Sequence, residues 1–134
     1  MPVRSFEDVE FGDEFVVAVD VSMERVRRFT SAAGMSFGRF IDHEQAKREG
    51  LPGAIVPGVM SLGILAAAIH TWAPGCEIRD VDTIFRAPLQ VDSKPTVRVV
   101  ATDLDAEART VQLDVTIANE AKEVRVVGTA IVKL

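Results

Sequence analysis

The sequence has one cysteine, Cys76, and two histidines, His43 and His70. A lone thiol excludes an internal disulfide, and so few soft ligands exclude a Cys- or His-rich zinc centre. No metal is expected, and a reducing compartment suits the composition. The opening MPVRSFEDVEFGDEF lacks an apolar run of signal-peptide length. A membrane-length run is also missing. The longest apolar stretch, Ile55 to Trp72, is broken by Pro57, Gly58 and His70 and is short for a span. These absences together lead to the expectation of a soluble, cytoplasmic protein. Clustered positive charge is scarce as well. Fifteen Lys and Arg stand against 20 Asp and Glu, a formal net charge of −5. Nucleic-acid binding relies on basic clusters, so none is expected. Arg25, Arg27 and Arg28 form the only tight basic group, and they read as the wet face of a helix. Repeats, low-complexity tracts and linkers are absent.

What is present reads as one domain spanning residues 1–134, a length at which a single sizeable core is feasible. Phe15 to Val21 is a short β-rich run after a turn at Gly12 and Asp13. Ser22 offers an N-cap, Met23, Val26, Phe29 and Ala33 follow at helical spacing, and Gly34 offers a C-cap. The stretch from Met35 to Gly53 is irregular apart from a short helix, His43 to Glu49. Pro57 and Gly58 open a long helix with almost no polar face, which ends at the turn Ala73-Pro74-Gly75. Such a helix must be enclosed on nearly all sides, with Met60, Leu62, Leu65 and Ile69 buried. Four strands follow: Ile78 to Leu89, Thr96 to Thr102, Thr110 to Ala118 and Glu123 to Val132. The turns at Leu104–Arg109 and Asn119–Lys122 predict antiparallel meander connections, with Pro88 and Pro95 at strand ends or edges. An apolar helix and an antiparallel sheet each need the other's apolar surface. The expected architecture is therefore α+β, a curved sheet wrapped around the helix. Its edge strand must be managed, and pairing two copies is the common remedy, through the sheet edges and the region around Gly58.

Three stretches resemble the MaoC-like hydratase/dehydratase family, in that family's order and over nearly the whole chain. They are SFEDVEFGDEF, the segment from Arg28 to Ile69 (RFTSAAGMSFGRFIDHEQAKREGLPGAIVPGVMSLGILAAAI), and FRAPLQVDSKPTVRVVATDLD. The resemblance implies the hot-dog fold, a dimer or double hot dog, and hydration of trans-2-enoyl thioesters or dehydration of 3-hydroxyacyl thioesters. The thioester belongs to CoA or acyl carrier protein, and no other cofactor is implied. The family motif G-D-x-N-P-x-H supplies an Asp and a His that exchange a proton with substrate and water. Here Gly34 matches the motif Gly, but Met35 stands for the Asp, Phe37 for the Asn, Gly38 for the Pro and Phe40 for the His. No Asp in this stretch stands at the motif's spacing to a His, so no shift of register restores the pair. The family polarises the thioester oxygen with a backbone N–H at the central helix start, where the helix dipole helps. Gly58 holds that position, and it either serves so or merely permits close packing.

Other polar residues carry two readings each. Asp42 and His43 are either a displaced acid/base couple or an N-cap with a solvated imidazole. His70 is either a buried base or a group serving carbonyls at the helix C-terminus. Ser36 and Ser61 have no nucleophile context. Met35, Phe37 and Phe40 line an acyl pocket with Pro57, or plug the lost water site. Arg39 and Arg86 either meet CoA phosphates or lie solvated on the surface. The functional expectation is a catalytically degenerate subunit that binds acyl-CoA or acyl carrier protein thioesters beside an active MaoC-like partner. The alternatives are a hydro-lyase using Asp42 and His43, and a homodimeric binding protein without chemistry. A thioesterase ranks last, because no carboxylate stands at the helix to act as base.

Overall fold

In the computed structural model, which describes residues 2–134, the chain forms five strands and four helices after a single 3-10 turn at Phe6–Asp8. The strands are β1 (Glu14–Ala18), β2 (Glu77–Phe85), β3 (Thr96–Asp105), β4 (Thr110–Ala118) and β5 (Val124–Lys133). They make one sheet in the order β1-β3-β4-β5-β2, with every neighbouring pair antiparallel.

The meander β3-β4-β5 is built locally. Asp105 Oδ1 accepts the Ala108 N–H in the first turn, which Arg109 closes at φ 56°. Asn119 and Glu123 bond to each other in the second, where Lys122 has φ 64°. Strict alternation sends Val111, Leu113, Val115 and Ile117 of β4 to the buried face, together with Val97, Val99 and Ala101 of β3.

The helices are α1 (Met23–Ala33), α2 (Gly38–Ile41), α3 (His43–Arg48) and α4 (Gly58–Trp72). Leu65, Ile69, Met60 and Trp72 of α4 lie buried against the inner face of the curved sheet. Each such side chain contributes about 1.5–3 kcal/mol by leaving water. The N-terminal segment ties down the far end of α4, with Val3 N–H donating to Trp72 O at 2.7 Å and Val3 and Val9 buried. Gly128 of β5 lies opposite Thr83 of its neighbour β2, and a Cβ there would collide with the Asp82 carbonyl oxygen. A bare strand position therefore lets the β2 backbone pair this closely with β5.

The helix and strand reading is met closely, with informative departures. β1 stops at Ala18, because Val19 already bonds to Pro95 O and Asp20 accepts the Ser22 N–H in the turn into α1. β2 ends at Phe85, because Arg86 and Ala87 both turn their N–H groups onto Arg125 O. β3 runs on to Asp105 past a bulge after Ala101. Pro57 is the N-cap of α4 rather than a residue of its first turn. The helix is less enclosed than its composition predicts. Leu62, expected in the core, is 36% exposed, and Val59 is 57% exposed. Both lie on a stripe with Gly63 and Ala67 that one chain leaves uncovered.

Candidate functional site

The site is assembled where α4 begins. Residues 54–56 run beside 89–91, joined by Val56 N–H to Leu89 O at 2.8 Å and Val91 N–H to Ala54 O at 2.9 Å. This pairing fixes the approach to buried Pro57, whose φ of −57° and ψ of 139° turn the chain into the helix. Ser61 N–H is the first to reach back, to Pro57 O at 3.2 Å. The N–H groups of Gly58, Val59 and Met60 thus have no carbonyl within the helix, and the positive end of the dipole lies there. A Cβ on Gly58 would stand 3.5 Å from the Phe85 ring, an ordinary contact. Packing therefore does not demand glycine here, and what Gly58 provides is bare backbone.

Beside these donors is a cavity of about 360 Å³, walled mainly by Ile55, Val56, Phe85, Leu89 and Val126. Ser61 and Arg86 are its only polar side chains. Among the described residues no carboxylate, imidazole, thiol or amine lines it. Arg86 has no ion-pair partner among the described residues, whereas Arg39 is held by Glu49 at 3.1 Å.

The segment that matches the family motif lies next door. Met35, Phe37 and Phe40 line a separate depression of about 570 Å³ with Arg39, Gln45 and Glu49. The Phe37 and Phe40 rings stand 6.2 Å apart at 59°. Phe40 is half-buried, but Phe37 is 60% exposed, so the cluster is not a closed plug. Ile55 N–H donates to Arg39 O at 3.0 Å, making the two depressions neighbours along one backbone link. Pro57 lines neither.

Asp42 and His43 are not brought together. Asp42 Oδ1 accepts the N–H groups of Glu44 and Gln45 as the cap of α3. His43 instead spans two other elements. Its Nδ1 accepts the Ala54 N–H at 3.0 Å, which leaves the ring proton on Nε2, 2.8 Å from Asp92 Oδ2. The His43 bond and then the Met23 N–H on its other oxygen hold the Asp92 carboxyl below its ordinary range. Sequence reasoning missed Asp92. The only available signal was the turn composition of VDSKP, which suits the φ of 67° that Asp92 adopts.

Arg27 is also more than a wet-face residue. Its guanidinium donates through Nε and Nη2 to Ile41 O at 3.2 and 2.8 Å, tying α2 to α1. His70 is exposed, with Nδ1 3.9 Å from Cys76 Sγ, and it serves no carbonyl. Burial pushes the Cys76 thiol up, away from nucleophilic character. Ser36 lies on the surface. No helix of the described residues is long and apolar enough to cross a membrane.

No family model matches the chain, and no curated protein matches its sequence. Solved structures do. An (R)-hydratase from A. caviae involved in PHA biosynthesis superposes with a TM-score of 0.90 at 19% identity, covering 96% of this chain and 98% of that one. A MaoC-like dehydratase gives 0.88 at 27% identity, covering 98% of this chain but 42% of its own. The ChsH1-ChsH2 complex from Mycobacterium tuberculosis gives 0.84 at 13% identity over 94% and 98% of the two chains.

Proposed function

We propose that this chain, which has the hot-dog fold of the MaoC-like hydratases and dehydratases, binds acyl thioesters without itself catalysing hydration. One observation carries the reading. The cavity at the start of α4 offers backbone donors to a thioester oxygen but no group able to take up or return a proton. The Gly58 N–H donates to the thioester carbonyl oxygen, and the apolar walls receive the acyl chain. Arg86 at the rim meets a phosphate of CoA or of an acyl carrier protein's prosthetic arm. The ligand is the only small molecule in this reading, so no separate cofactor enters.

Proton-transfer groups then have to come from a second, catalytic MaoC-like subunit. The uncovered stripe of Val59, Leu62, Gly63 and Ala67, with exposed Ile84 and Phe85 on the edge strand β2, supports such pairing. The similarity to one heteromeric complex is consistent with it. A homodimer uses the same surface if no such partner exists. The displaced acid/base couple finds less support, since Asp42 is committed to a cap and both nitrogens of His43 are engaged.

Calorimetric titration with short and medium acyl-CoAs, alongside a hydration assay on trans-2-enoyl-CoAs, tests the proposal. Binding without turnover by the isolated chain is expected. Turnover by the isolated chain, or no binding of any thioester, overturns it.

A further inference from the structure

Ser61 differs from Thr30, the other buried polar side chain among the described residues. It is 2% exposed, yet its hydroxyl neither donates nor accepts a hydrogen bond among the described residues, whereas Thr30, the other buried hydroxyl, donates to Arg27 O at 3.2 Å. A hydroxyl oxygen fully enclosed without a partner would be costly. No fully enclosed side-chain nitrogen or oxygen among the described residues lacks a partner, so the unpartnered Ser61 oxygen must open onto the cavity that Ser61 lines. It stands three positions after Gly58 in α4, on the same helical face, and side chains lean toward the helix N-terminus. Its oxygen is therefore carried back over the turn that presents the free Gly58 N–H. The facing walls are apolar and offer it nothing.

We infer that Ser61 is a ligand-binding residue: its hydroxyl is the second donor, with the Gly58 N–H, to a carbonyl oxygen of the ligand. This rests on the acyl-thioester reading above and deepens it. Two donors converging on one oxygen make the cavity select for a carbonyl at that point, and not simply for an apolar chain of the right length. The hydroxyl's missing partner is thereby explained, because the ligand supplies it. A serine kept for packing alone would be better replaced by alanine, which fills the space with no polar atom to satisfy.

The test compares butyryl-CoA with its S-butyl-CoA thioether, which has the same chain but no carbonyl, on the full chain by calorimetry. The wild type is expected to bind the thioester more tightly. In Ser61→Ala the thioester loses about 3- to 10-fold in affinity, the worth of one neutral hydrogen bond, while thioether binding is unchanged. Ser61→Thr keeps the hydroxyl and retains the preference. Thermal unfolding of Ser61→Ala stays at or above the wild-type temperature, since no bond inside the chain is lost. Equal weakening of both ligands, no weakening of either, or a drop in unfolding temperature overturns the assignment while leaving thioester binding itself intact. Absence of binding by either ligand to the wild type brings down the acyl-thioester reading and this inference with it.

Discussion

Asp92 and His43 show how one side chain can hold three segments. Asp92 sits at φ 67° and takes the Met23 N–H on one oxygen and His43 on the other, while its own N–H donates to Val21 O at 3.0 Å. The helix α1, the first residue of α3 and the strand-like stretch before α4 all meet there. His43→Ala leaves the Ala54 N–H, in a residue with no exposed surface, without its acceptor. The expected cost is about 1–3 kcal/mol, read by urea denaturation; a change within a few tenths would contradict the latch. A second residue-scale prediction concerns acid. Glu7, bonded to Arg109 at 2.7 Å, has its carboxyl lowered from 4.5 to about 2, first by that hydrogen bond. A depressed carboxylate stabilises the fold fully above its unfolded value and loses that contribution as pH falls toward its folded one. Glu7→Gln is therefore expected to lose less stability than the wild type between pH 4.5 and about 2, measured by unfolding at stepped pH. Parallel curves for the two proteins would remove Glu7 from the acid response.

At the scale of elements, the close approach of β2 to β5 at Gly128 makes a sharp demand. Gly128→Ala puts a methyl group against the Asp82 carbonyl and the Thr83 backbone, which cannot move without breaking the ladder. The expected loss is about 1–3 kcal/mol, and an unchanged midpoint would show that β2 can lift away freely. This position also marks the limit of sequence reading. The alternation of TVQLDVTIA and the apolar character of Val59 to Ile69 foretell a sheet and its central helix, because burial writes periods of 2 and 3.6 into the chain. The cap at Ser22 and the αL position at Gly34 were legible for the same local reason. Gly128 looked like an ordinary strand glycine, since the backbone it accommodates lies more than forty residues away in sequence. Asp92, Arg27 and Ser61 were hidden likewise, because their roles depend on what folding brings beside them. The vacancies at Met35 and Phe40 were plain in the sequence, but the separation of their depression from the Gly58 cavity was not.

For the whole molecule, the uncovered side of α4 sets the expectations. A helix this apolar with Val59 and Leu62 in water calls for a second chain. Leu62→Arg is expected to leave the monomer folded, since the site is already 36% exposed, and to shift sedimentation from a larger species to the monomer. An unchanged sedimentation profile would place the interface elsewhere. Catalysis follows the same division. Since each proton-transfer group is worth about 10²- to 10⁴-fold, the isolated chain is expected to hydrate trans-2-enoyl-CoA at background rate; any turnover above it would refute this, and its loss in Asp42→Asn would assign that turnover to Asp42. The strand order has one more consequence, and it concerns time. Synthesis runs from the N-terminus, and residues 1–85 hold α4 and two strands, β1 and β2, that lie at opposite edges of the sheet and do not pair with each other. Glu14 waits for Arg98, 84 positions downstream. Only β3, β4 and β5 are neighbours in both sequence and space. The nascent chain must therefore carry its most apolar segment unsheltered until the last strands emerge. Slow translation of the stretch from β3 to β5 would lengthen that exposure.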